Sequence, residues 1–284
     1  MKIGIGINSW VWTSPFTDRS AALIGKAQRL GFDSFEIAVE DPAHFSRGGA
    51  VTRALKAAKI RPHVCGAFGP DRDLTHENES VRKNSLAYIR AGLALCQDWN
   101  AKIMCGPMYS AVGKRRQLPA AKRRQEWKRA VAGLKTAGKM AADTGVTLAI
   151  EPLNRFETDL INTVEQGVRL VEEVDSPAVG LHLDTFHMNI EEHSFSEAIV
   201  RAGPLLRHVH ACENDRGAPG SGLIDWADVV AGLRKINYTG DLVIESFTPE
   251  CLTIAAAAAI WRPLAVSQDT LAKEGLAFLR KTFG

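Results

Sequence analysis

The sequence contains no Cys-x-x-Cys pair, and its five cysteines (Cys65, Cys96, Cys105, Cys212 and Cys251) are odd in number. A disulfide framework or a cysteine zinc knuckle is therefore not expected, and the thiols point to a reducing, cytoplasmic setting. There is no apolar run of bilayer-spanning length. Residues 254–261 are apolar but far too few, and their five consecutive alanines predict a tightly packed helix instead. The opening MKIGIGINSW reads as a strand, without the apolar helix and cleavage site of a secretory signal. Charge of one sign is scarce too. A formal net charge of +3 favours solubility without demanding an acidic partner, so neither a membrane nor a nucleic acid is an expected partner.

What is present is a repeated alternation. Strands are predicted over residues 2–8, 34–39, 61–66, 102–106, 147–151, 179–184, 206–210 and 241–245. Helical stretches fall between them, at 19–30, 49–58, 80–96, 119–144, 162–174, 195–202 and 226–236, and further helices follow the last strand. Gly145 is placed as the stop of the longest helix. No Pro/Gly/Ser-rich linker interrupts the order, so residues 1–284 read as one α/β domain. A (β/α)₈ TIM barrel explains the length, the alternation and the strand ends together, whereas a doubly wound sheet explains only the alternation.

Those strand ends carry the chemistry. Glu151 closes VTLAIE, Asp184 closes VGLHLD, His210 ends RHVH and Glu245 ends DLVIE, at spacings of 33, 26 and 35 residues. In a barrel the C-terminal strand ends converge on one face. Three carboxylates and one imidazole suit Mn²⁺, Co²⁺ or Mg²⁺ better than a thiolate-rich zinc site. The alternative for any one of them is a cap or an ion pair at the rim. Glu157, His187 and Arg216 follow these ends by three to six residues, so their loops are expected to reach the same cavity. His182 and His208 alternate with Asp184 and His210 and face either the same side or the core.

The segments EPLNRFET, LDTFHMNIEE, HVHACENDRG and VIESF closely resemble the D-tagatose 3-epimerase and D-allulose (D-psicose) 3-epimerase family of ketose 3-epimerases, whose barrels are xylose-isomerase-like. The likeness runs through nearly the whole chain, and LDTFHMNIEE is its most specific part. The resemblance implies that Glu151, Asp184, His210 and Glu245 hold one divalent metal, Mn²⁺ first. It implies that Glu151 and Glu245 are also the acid/base pair, and that Glu157, His187 and Arg216 hold the carbonyl end of the sugar. It further implies inversion at carbon 3 of a free ketose through a cis-enediolate, no nucleotide cofactor, and a homodimer or homotetramer.

The chemistry is coherent. A divalent ion on the carbonyl and adjacent hydroxyl oxygens acidifies carbon 3, and two carboxylates can remove a proton on one face and return it on the other. Phe247, matching a family pocket aromatic, is expected at the sugar, with Trp12, Tyr109, Cys65 and Gly66 as further wall candidates and Trp10 and Phe16 at the mouth. Family members often carry a bulky aromatic near Gly6 or Ile7, and this chain does not, so its pocket around the distal sugar carbons is expected to differ.

Competing signals are weaker. Gly4–Gly6 lacks the last glycine of a dinucleotide fingerprint, and GAPGSG at Gly217, Gly220 and Gly222 reads as a mobile or tightly turned active-site loop. The basic stretch from Lys114 to Arg129 reads as the solvated face of a long helix. An aldose–ketose isomerase is the main alternative. A noncatalytic sugar-binding protein would have little need of the glutamate pair, and an apurinic-site endonuclease would need more histidine ligands than the one convincing His210.

Overall fold

The computed structural model describes residues 3–284, so Lys2, predicted as the start of the first strand, lies outside the described residues. Eight parallel strands close into a barrel in sequence order. They are β1 (Gly4–Asn8), β2 (Ser34–Val39), β3 (Arg61–Gly66), β4 (Ile103–Gly106), β5 (Thr147–Ile150), β6 (Val179–Asp184), β7 (Leu206–Ala211) and β8 (Asp241–Ile244). β8 pairs with β1, Gly4 opposite Asp241 and Ile7 opposite Ile244, which closes the ring. The helices around it are α1 (Ala22–Leu30), α2 (Ala50–Ala58), α3 (Glu79–Trp99), α4 (Ala120–Thr144), α5 (Val164–Val174), α6 (Thr185–Glu191), α7 (Phe195–Ala202), α8 (Trp226–Lys235), α9 (Leu252–Ala257) and α10 (Gln268–Phe283). Gly145 ends α4 as expected. Among the described residues no helix is long and apolar enough to cross a membrane.

The period-2 alternation of the strands sorts side chains between two environments. Ile5 and Ile7 join Ile24, Phe35 and Val39 in the layer between sheet and helices, while Asn8 turns inward to Glu36. Gly4 and Gly6 are needed for close approach. A Cβ on Gly4 would sit 2.1 Å from both Arg61 Nη2 and Asp241 Oδ1, and one on Gly6 would sit 2.3 Å from Ser34 Oγ. The missing aromatic at Gly6 is thus built into the packing of neighbouring strands.

The gap left by Gly4 holds an ion pair across the N-terminal end of the barrel. Asp241 accepts from Arg61 Nη2 at 2.7 Å and from Arg61 Nε at 3.3 Å, and it bonds His63 Nε2 at 2.8 Å. Burial alone would raise its carboxyl, but bonds from His63 and Arg61 outweigh that and hold it well below the usual range. At this end a polar cluster serves stability rather than chemistry. Asp241→Ala is expected to cost about 2 kcal/mol in denaturant unfolding, because it leaves the buried His63 without its partner while water takes up the exposed Arg61, and to leave the turnover rate per folded molecule unchanged.

Three expectations are corrected. The alanine run forms only the short α9, in which Ala255 is buried while Ala256 and Ala257 are exposed, so it is not a tightly packed helix. The basic stretch is not uniformly solvated. Lys114 pairs with Asp73 at 2.8 Å, and Arg116 clamps Glu126 and Asp159 at 2.8 and 2.9 Å, pinning the segment before α4 to the barrel. His187 lies on a helix, α6, not on a loop. Asp184 caps that helix by accepting from Phe186 N at 2.8 Å, so strand and helix meet with no connecting residue.

Candidate active site

Glu151 and Glu245 lie one residue beyond β5 and β8, Asp184 ends β6, and His210 lies one residue before the end of β7. All four are buried. Donor atoms of Asp184, His210 and Glu245 lie within 4.8 Å of one another, and Glu151 forms equally tight groups with Asp184 and His187 and with His182 and His210. The four predicted strand ends therefore do meet, in overlapping triplets around one spot.

Arg216 sits among them. Its guanidinium donates to Asp184 Oδ2 at 2.6 Å and to Glu245 Oε2 at 3.0 Å. Phe186 and Phe247 lie 4.0 and 5.0 Å from its central carbon, which shields the charge from water. Its backbone is left-handed, at φ 67°, a conformation that costs a non-glycine residue about 1 kcal/mol. The turn behind it is held by Glu213, fully buried, which accepts from the backbone N–H groups of Gly220 and Ile224 and from Trp226 Nε1. GAPGSG is thus a tight turn, and Glu213 is a residue that sequence reasoning missed.

The two nitrogens of His187 and of His210 meet different partners. The backbone N–H of Asn154 donates to His187 Nδ1 at 3.1 Å. Nδ1 is therefore an acceptor, while Nε2 lies 3.3 Å from Arg216 Nη2, 3.6 Å from Glu151 Oε1 and 3.8 Å from Asp184 Oδ2. Burial, followed by the Arg216 charge, pushes His187 far below the usual imidazole range, so the ring is neutral. Asn154 also donates to Glu157 Oε1 at 3.0 Å, tying both predicted sugar contacts to one side chain. The asparagine of EPLNRFET was the available signal for it.

For His210 the partner is Glu36, whose Oε1 lies 2.7 Å from Nε2. Nδ1 of His210 is buried without a hydrogen-bond partner and lies 3.3 Å from Glu245 Oε2. An imidazole nitrogen without a hydrogen-bond partner, beside two carboxylates, is a donor set that a divalent cation takes once the ring gives up its proton, so the residues present fit a metal. Desolvation is the largest influence on each glutamate, yet the two are driven apart. Burial and the Glu245 charge push Glu151 well above the carboxylate range. For Glu245 the same burial is outweighed by His210 and Arg216, and its carboxyl is lowered.

The aromatic expectations divide. Phe247 and Cys65 belong to a buried cluster inside the barrel mouth with Trp10, Cys105, Ala149 and Ile260, where Trp10 meets Phe247 edge-on at 6.1 Å. Trp12 instead stacks on Phe35 in the outer core and donates to Asp269 Oδ1, and Phe16 packs against Phe35 there too. Tyr109 is fully buried, its hydroxyl on Ile161 O at 3.2 Å. The Cβ direction of Gly66 points at Phe68, 2.7 Å away, and not into the barrel. Strand alternation explains the split, since Cys65 and Gly66 are adjacent and must face opposite sides. Over Arg216 opens a cavity of 390 Å³ walled by Phe186, Ile260, Trp261 and Leu264. Its last three walls come from the segment after α9, which carried no motif.

The xylose isomerase-like TIM barrel family matches residues 24–282. A probable ketose 3-epimerase of Synechocystis sp. is 34% identical over 99% of this chain and 97% of its own. The chain belongs to the ketose 3-epimerase family. A D-psicose 3-epimerase of Agrobacterium fabrum is likewise 34% identical, over the full length of both chains. The crystal structure of a Methylomonas sp. D-allulose 3-epimerase in complex with D-allulose superposes with a TM-score of 0.93 at 30% identity, over 99% of this chain and 98% of that one. This ketose 3-epimerase family member is accordingly an enzyme with a cluster of carboxylate and imidazole groups suited to a divalent metal.

Proposed function

We propose that the enzyme inverts carbon 3 of free ketoses, with D-fructose/D-allulose, D-tagatose and L-ribulose as the substrate class, and that Mn²⁺ is the preferred ion, with Co²⁺ or Mg²⁺ as substitutes. The observation that carries the reading is the convergence of Asp184, His210 and Glu245 beside Glu151, with His210 Nδ1 turned toward Glu245 and without a hydrogen-bond partner. These four residues would hold the ion, which would supply Lewis acidity to the carbonyl end of the sugar.

The remaining chemistry belongs to the chain. Glu245, held ionised, takes the proton from carbon 3, and the electron pair left behind spreads over carbons 2 and 3 as an enediolate. Glu151 delivers a proton to the opposite face. The roles exchange in the reverse direction. The Arg216 guanidinium is a donor placed to meet negative charge growing on oxygen, His187 beside it holds the carbonyl end of the sugar, and Glu157, steered by Asn154, orients a hydroxyl. Phe247, Cys65 and Trp10 offer an apolar wall.

An unphosphorylated sugar is favoured because the cations nearest the cavity are already paired, Arg216 with Asp184 and Glu245, and Arg262 with Asp215. Exposed Leu252, Trp261 and Val266, in the segment that walls the cavity, supply apolar surface for a second copy, in keeping with the homodimer or homotetramer expected.

The test is turnover of a panel of free ketoses by metal-loaded protein in deuterated water. The expected product is the carbon-3 epimer carrying deuterium at carbon 3. An aldose product would move the enzyme to the aldose–ketose isomerases, and absence of turnover with bound metal would overturn the reading.

A further inference from the structure

The barrel interior beneath the site is filled by a polar cluster that no strand-end motif announces. Glu36, mid-way along β2 and fully buried, accepts from four donors. Asn8 Nδ2 lies at 2.8 Å and His210 Nε2 at 2.7 Å from its Oε1, and His208 Nε2 at 2.6 Å and Cys105 Sγ at 3.2 Å from its Oε2.

These groups resemble a second metal site in kind, but the distances decide against one. Two ligands at about 2.1 Å from a tetrahedral ion stand roughly 3.4 Å apart, whereas the imidazole–carboxylate separations here are 2.6 and 2.7 Å. They are charge-assisted hydrogen bonds. Both carboxylate oxygens of Glu36 are taken up by donors, the Asn8 amide and the Cys105 thiol besides the two imidazoles, so Glu36 serves as an acceptor. Each imidazole must then present Nε2–H to it.

We infer that Glu36 is a positioning residue for the metal centre, locking His210 in the Nε2–H tautomer and aiming its Nδ1 lone pair at the spot shared by Asp184 and Glu245. The inference rests on the reading of His210 as a metal ligand. A carboxylate behind a ligating imidazole fixes ring orientation and raises ligand basicity, and its loss commonly costs 10–100-fold in metal affinity. The grip has two handles here. His208, on the same face of β7 two residues away, binds the other oxygen of Glu36, so the carboxylate cannot rotate away from His210. Below it His208 meets His63 edge-on at 5.0 Å, and His63 is bonded to Asp241. Polar contacts thus run along the barrel axis from the stabilising end to the reactive end.

The test uses the full-length protein labelled with ¹⁵N-histidine and loaded with Zn²⁺ as a diamagnetic ion, together with Mn²⁺ affinity from chelator competition. In the wild type, the His210 resonances should show Nδ1 coordinated and Nε2 protonated. Coordination through Nε2 would overturn the inference, and no change at His210 on metal addition would sink the underlying reading of it as a ligand. Glu36→Gln should raise the Kd for Mn²⁺ 10–100-fold and populate the wrong His210 tautomer, while the metal-free protein keeps its folded circular dichroism. An affinity within threefold of wild type, with His210 still coordinated through Nδ1, would refute the role of Glu36 alone. Should Glu36→Gln not fold, Glu36→Asp keeps the charge but withdraws it by one methylene. It should show an intermediate loss of affinity, and unchanged affinity there would also refute the role.

Discussion

Glutamine in place of either Glu151 or Glu245 is expected to lower carbon-3 inversion by about 10³-fold, the usual worth of a positioned acid or base, but the two variants should differ in every other respect. Glu151 is pushed toward its neutral form by burial and by Glu245, so Glu151→Gln replaces one uncharged group by another and should barely move the unfolding midpoint of metal-free protein. Glu245 is held ionised against Arg216, at 3.0 Å, and His210. Removing that charge leaves a buried guanidinium with Asp184 as its one remaining carboxylate partner at this centre, and should cost about 3 kcal/mol. Exchange separates chemistry from binding. A variant that keeps one carboxylate should still wash solvent deuterium into carbon 3 of one epimer without converting it to the other. Bound metal must be measured in each variant, because both side chains are assigned as ligands. Full inversion activity in a variant that retains its metal would remove that glutamate from the acid/base pair.

The contrast between what sequence showed and what it hid follows from where each residue lies on its strand. Glu151, Asp184, His210 and Glu245 were legible because a charge ending an apolar run is conspicuous, and the barrel brings such ends together. Glu36 was not, because it sits inside the apolar run SFEIAV, where an isolated charge carries no partner information. Its meaning depends on His208 and His210, 172 and 174 residues away. Strand register also decided the aromatic wall. Cys65 and Phe247 share a buried cluster with Trp10, whereas Trp12 and Tyr109 belong to the larger hydrophobic cluster, since being near a strand end does not say which way a side chain turns. LDTFHMNIEE was read as strand and loop although Thr185–Glu191 is helical. The signal was available, because an aspartate that ends a strand is also a good helix cap, but its ligand reading obscured its structural one.

Metal binding to the chelated protein is expected to release protons and to weaken steeply as the pH falls. Two of the assigned ligands hold protons more tightly than their free counterparts. Burial and Glu245 raise Glu151. For His210 burial favours the neutral ring, but Glu245 and Glu36 outweigh it and raise the imidazole well above its usual range. Both must be deprotonated to ligate, so protons and metal compete, and each proton released should change the apparent affinity by about tenfold per pH unit below the raised pKa values. Calorimetric titration with Mn²⁺ in buffers of different ionisation enthalpy should count one to two protons near neutral pH. The stability of the metal-free protein must follow the same sign. A group raised in the folded state contributes stability that is complete below its unfolded pKa, about 4.3 for Glu and 6.5 for His, and lost as pH rises through the folded value. Metal-free protein should therefore lose stability as the pH is raised above neutrality, while metal-loaded protein should not, and the gap between their melting temperatures should widen. An affinity that stays flat between pH 6 and pH 8, with a constant gap, would show that the proposed ligands carry no excess protons and that the ion is held elsewhere.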